Sequence, residues 1–266
     1  MNRLMRYQGV VVGGFMANLA YPLSFFMTLI TNLVYIIVLY FLWKAVYSGT
    51  LTLHDMTFHQ TFIYVALGGS IIVLFRTGTD SQISWRILNG HISLDLAKPL
   101  DFQLMILAAE IGVLLMRGMV ITLPSILAIL VFAQGNMLLG INIAFFLLSL
   151  IGAFLLSFAI DFTVGLSAFY TESLWGISVS KEVLISFLAG GLIPLSFFPE
   201  EIRQVLYILP FQAIYNIPLQ IATNASLFMS DYIRMIAVQA FWAILFAIGS
   251  RLVFARVIKR LTINGG

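Results

Sequence analysis

Apolar residues fill this chain in long uninterrupted stretches, and polar residues gather between them. An unpaired backbone amide in hydrocarbon costs several kcal/mol, so a chain that enters a bilayer crosses it as helices of about 20 residues. Six stretches meet that length: residues 19–47, 58–77, 104–132, 141–170, 179–198 and 232–257. The pattern predicts an all-α membrane protein with six transmembrane helices. Arg3 and Arg6 precede the first stretch in the manner of a signal peptide, but the apolar run is too long and no small-residue cleavage site closes it. A short N-terminal interfacial helix leading into the first span is expected instead.

Two polar intervals carry a pattern of their own. In the interval 77–103, Ile83, Ile87, Leu88, Ile92 and Leu94 form a rough helical stripe interrupted at Gly90, while Arg86, Asn89, His91 and Asp95 offer polar groups to water or a partner. One reading is an amphipathic helix on the inner membrane surface; the other is a helix that docks into a cleft on a cytoplasmic protein. After the fifth stretch, Gly190, Gly191 and Pro194 weaken the helix, and Pro199 suits the first position of a new one. Glu200 and Glu201 then favour its dipole, Ile202, Val205, Leu206 and Leu209 give it one apolar face, and Pro210 stops it. A re-entrant or outer-surface helical hairpin is expected here, with an ordinary amphipathic outer loop as the plainer alternative.

Orientation follows the basic residues, which cytoplasmic segments hold in excess. With the N-terminus inside, Arg3, Arg6, Arg76, Arg86, Lys98, Lys181, Arg251, Arg256, Lys259 and Arg260 fall inside, against Lys44, Arg203 and Arg234 outside. Both termini are expected in the cytoplasm, with the uncharged loop 133–140 as a short outer turn.

Composition strengthens the picture. Of 266 residues 61% are hydrophobic and 9% charged, where a soluble domain carries about 25% charged residues. There is no Cys, which excludes disulfides and thiol chemistry. The net charge of +3 gathers toward the chain ends, so nucleic acid is not expected as a partner. No repeat and no flexible linker divides the chain, and residues 1–266 read as one domain.

Glu110 and Arg117 in the third predicted span and Asp161 in the fourth are ionisable residues at membrane depth. Each would cost about 3 kcal/mol or more facing lipid, so each should face protein or water. Depth counting places Arg117 near Asp161, and a pair tying the third and fourth spans is expected. No Lys follows a glycine as a phosphate-binding loop requires, and no nucleophile-elbow serine is present. His54, Asp55 and His59 form at most a weak metal possibility on the outer side. The chain reads as a non-enzyme with no cofactor or metal of its own.

Ile87, Gly90, Ile92, Leu96, Lys98, Pro99 and Leu100, followed by Gly191, Pro194, Leu195, Phe197, Phe198, Pro199, Leu209, Pro210, Phe211 and Pro218, resemble the permease subunits of bacterial type-2 ATP-binding-cassette exporters. Lys259-Arg260 with Gly265-Gly266 resembles the subgroup with viologen and antibiotic exporter permeases. The resemblance implies a bacterial cytoplasmic-membrane permease working with two cytoplasmic ATPase subunits, which bind the ATP and Mg, and with a second permease, identical or related. It implies that residues 86–95 form the coupling helix on the ATPase, and that the hairpin with Gly190, Gly191, Pro194, Phe197, Phe198, Pro199, Pro210 and Phe211 forms an outer gate. Export of a hydrophobic, amphipathic or cationic small molecule is the expected function. Export of a lipid or lipid-linked glycan, or a carrier not driven by ATP, are the alternatives. A membrane-embedded enzyme or assembly factor would need catalytic groups clustered at one depth, for which only the three intramembrane charges offer themselves.

Overall fold

The computed structural model describes residues 3–20, 22–134 and 140–260. The Gly265-Gly266 terminus and residues 135–139 of the uncharged turn lie outside them. Its elements are helical apart from one two-residue hairpin, β1 (Thr52–Leu53) against β2 (Met56–Thr57). Thr57 then caps α3 (Phe58–Phe75): its hydroxyl accepts from Gln60 N, and Gln60 Oε1 accepts from Thr57 N.

Five helical stretches among the described residues are long and apolar enough to cross a membrane. They contain α2 (Pro22–Val46), α3 with α4 (Thr79–Leu88), α6 (Phe102–Arg117) with α7 (Leu123–Ala133), α8 (Ile141–Gly165) and α12 (Met229–Val257). The sixth expected span, 179–198, takes a different form. Its helix, α9 (Trp175–Leu188), has only 14 residues, a rise of about 21 Å. Gly190 (φ +74°) ends it in the left-handed region: Gly190 N donates to Phe187 O and Gly191 N to Ser186 O, the paired bonds that close a helix C-terminus.

α3 is the centre of the bundle, and every residue from Thr61 to Ile71 is buried. A helix that is apolar all round needs neighbours all round, and α2, α7 and α11 (Asn216–Thr223) supply them. Polar side chains join the helices at single points, as expected where lipid offers no hydrophobic drive for association. Asn32 Nδ2 donates to Ser125 Oγ at 2.7 Å and Ser70 Oγ at 3.3 Å, uniting α2, α7 and α3. Gln103 of α6 donates to Ser250 of α12 at 2.8 Å, and Gln239 of α12 donates to the carbonyl of Ala213 at 2.7 Å.

The helix α1 (Arg3–Leu19), ahead of the first span, runs side by side with α6. Glycines permit the approach: a Cβ on Gly112 would stand 2.1 Å from Val11 O, and one on Gly14 2.2 Å from Ala109 O. The third span is broken by a π-helical turn at Gly118–Thr122. Pro124 follows it, and proline both lacks an amide proton and crowds the carbonyl four residues back, a known cause of such breaks.

Candidate functional site

The stripe around Gly90 folds as two short helices, α4 and α5 (Ile92–Leu96), joined where Gly90 takes φ +73°. Ile83 and Ile92 anchor both to the bundle and are fully buried. Asp95, expected to be open to water or a partner, is instead buried and clamps the joint: Arg86 Nη1 lies 2.5 Å and Lys98 Nζ 2.7 Å from its carboxylate. Burial acts to raise the Asp95 carboxyl, but hydrogen bonds from Lys98 and Arg86 outweigh it and hold the group below its ordinary value. Leu88 and Leu94 are likewise not on the anchoring side. With Trp85 they are exposed, and the Trp85 ring stacks on His91 at 4.7 Å. Asn89 is exposed and Ile87 half-buried. A braced two-helix segment thus presents apolar and aromatic groups outward.

The hairpin region is more deeply set than an outer loop. Gly190, Gly191, Pro194 and Leu195 are buried, and the Gly191 carbonyl abuts α3 so closely that a Cβ on Gly68 would stand 2.3 Å from it. Irregular backbone is therefore enclosed by protein, the condition under which it survives at membrane depth. Phe197 packs on Trp43 and His54, and Phe198 on Phe187. Pro199 stands one position before α10 (Glu200–Ile208) rather than inside it. Of its apolar stripe only Leu206 is buried; Ile202 and Val205 face outward. Pro210 and Phe211 begin a turn that leads into α11, whose burial against α3 and α8 the sequence pattern did not reveal. Among the described residues no three His, Asp or Glu side chains converge in a metal-binding group.

The intramembrane charges are arranged differently from the expected Arg117–Asp161 tie. Asp161 of α8 is bound by Lys181 of α9, which also reaches Asp80 of α4 at 2.7 Å. Arg117 donates instead to the carbonyls of Val73 and Arg76, at the frayed end of α3 where helix carbonyls lack amide partners. Glu110, buried, accepts from Gln82 at 3.3 Å and has the Thr77 and Thr79 hydroxyls beside it. Arg76 completes the group with a two-pronged pair to Glu182, at 2.6 Å and 2.8 Å. Arg76, Asp80, Arg117, Asp161, Lys181 and Glu182 line one cavity of about 440 Å³ among α3, α4, α6, α8 and α9, with Trp175, Phe75 and Tyr215 as aromatic walls. Sequence reasoning missed Arg76, Asp80, Lys181 and Glu182 as members. The adjacent Lys181-Glu182 pair, alone in an otherwise uncharged predicted span, was the available signal.

Such features define a multi-pass helical membrane protein with an ionic centre in its bundle and a braced two-helix segment packed against it. The family model described as ABC-2 family transporter protein matches residues 33–265, and the chain belongs to that family. It is accordingly a membrane component of an ATP-binding-cassette exporter, a class of permease that partners with ATP-binding-cassette ATPase subunits. Comparisons with curated proteins and with solved structures found no match.

Proposed function

We propose that the chain exports a hydrophobic, amphipathic or cationic small molecule of drug or antibiotic type across a bacterial cytoplasmic membrane, with both termini in the cytoplasm. Two ATPase subunits supply the energy, and a second permease, a copy or a relative, completes the path. The α4–α5 segment receives the ATPase; its outward Trp85, Leu88 and Leu94, held by the Asp95 clamp beneath them, are the observation that supports this reading. Such a patch needs a partner, because aromatic and aliphatic groups exposed together favour burial in a protein interface. ATP-driven closure moves the braced segment as a body, and differential contact in the two states shifts the permease between arrangements. The hairpin between α9 and α11 serves as the outer lid. A cavity of about 440 Å³ lies within the size range of small-molecule sites, which favours such cargo over a glycan chain.

Affinity purification of the tagged full chain in mild detergent tests the proposal. An ATPase subunit is expected to accompany it, and Trp85→Ala with Leu88→Ser is expected to release that subunit. Transport that persists with no associated ATPase would replace this reading with a secondary carrier.

A further inference from the structure

The ionic cavity holds an arrangement that a purely structural tie does not require. Asp80 and Asp161 come from different helices, α4 and α8, and converge on one ammonium, that of Lys181. The other charges on the cavity wall are already matched: Arg76 is held by both oxygens of Glu182, and Arg117 by two backbone carbonyls with Glu110 nearby. Lys181 thus faces two carboxylates, one more than its single charge neutralises. The lysine also arrives on a sparsely embedded helix, since Ser186 is the single buried residue of α9. Ser178, Lys181, Glu182 and Ile185 form the face that α9 turns to the cavity, at spacings of three and four residues. α9 is thus attached to this wall largely by ion pairs rather than by apolar packing, and ion pairs exchange partners without disrupting a core.

We propose that the cavity is a ligand chamber with an ammonium subsite formed by Asp80 and Asp161, that Lys181 fills this subsite as a built-in occupant, and that a small molecule carrying a protonated primary amine binds by exchanging with it. The three N–H donors of a primary ammonium match two carboxylates in a way that a quaternary or neutral group cannot. Phe75, Tyr215 and Trp175 offer rings to the organic body of the ligand. Lys181, once displaced, swings outward with its face of α9 and opens the chamber on that side. This inference rests on the exporter reading and names the chemistry of its cargo.

The test uses the full chain in phosphatidylcholine nanodiscs with dansylcadaverine, a fluorescent primary amine, and neutral dansyl amide as its matched control. Wild type is expected to bind the amine and not the amide. Lys181→Gln, which removes the internal competitor, is expected to tighten amine binding about tenfold, while Asp161→Asn and Asp80→Asn each weaken it about tenfold, the factor set by one charge-assisted contact. The chain has no cysteine, so Lys181→Cys adds a single thiol; disulfide formation with 2-aminoethyl methanethiosulfonate, releasing sulfinate, restores an ammonium and should return affinity to the wild-type value. A neutral methyl reagent should not. Equal binding of amine and amide by wild type overturns the proposal without any variant, as does a folded Lys181→Gln that binds no more tightly. ATPase co-purification, scored on the same preparations, separates the two readings: amine binding lost with the ATPase retained sinks only this inference.

Discussion

Replacing Gly90 by larger residues tests whether the shape of the α4–α5 joint carries the coupling. Gly90 sits at φ +73°, and a Cβ placed there meets no atom within 4 Å. The penalty of a substitution is therefore conformational and not steric, about 1–2 kcal/mol for an ordinary L-residue in the left-handed region. Asn tolerates that region, and a β-branched residue tolerates it worst. Against a global stability of about 5–15 kcal/mol the protein stays folded. Locally, the same 1–2 kcal/mol shifts the joint by a factor of about 5–30 toward other geometries, and the Trp85–His91 stack and the Arg86–Asp95 pair both span it. The expected order of ATPase retained on purification is Gly90→Asn above Gly90→Ala above Gly90→Val, with thermal unfolding nearly unchanged across the three. Equal retention by Asn and Val variants would refute the argument that left-handed geometry at this joint matters.

Two further outcomes follow from packing and charge. Gly112→Ala gains about 1 kcal/mol in helix propensity but drives a Cβ to 2.1 Å from Val11 O, an overpacking cost of about 1–3 kcal/mol. It should lower the unfolding temperature, whereas Gly13→Ala, with nothing within 4 Å, should hold or raise it; detergent-solubilised thermal denaturation separates them. The Asp95 clamp predicts a pH effect. Because the folded carboxyl titrates below its ordinary value of 3.8, its contribution is fully present above that value and is lost as pH falls through the lower folded value. The Asp95→Asn variant should be less stable at neutral pH, and the gap to wild type should close on acidification below about pH 4.

What the residue pattern alone determined was the solvent and the class of structure. Five of the six apolar stretches appear as span-length helices because a bilayer leaves the backbone no other way to satisfy its amides. The break at Gly90 and the buried turn at Gly190 were also legible, since left-handed backbone favours glycine. The partners of the charges were not. Helical spacing places Arg117 and Asp161 at a depth, yet which groups they meet depends on how far neighbouring helices are rotated. Here that rotation delivered Lys181 from α9 to Asp161 and left Arg117 to the carbonyls of α3. Likewise Asp95 reads as a surface acid in one dimension and becomes a buried clamp only when α5 folds back on α4. Local periodicity fixes which face of a helix is apolar, whereas the contacts made by a few polar side chains are settled by long-range packing, and in this protein the ionic cavity is made of those contacts.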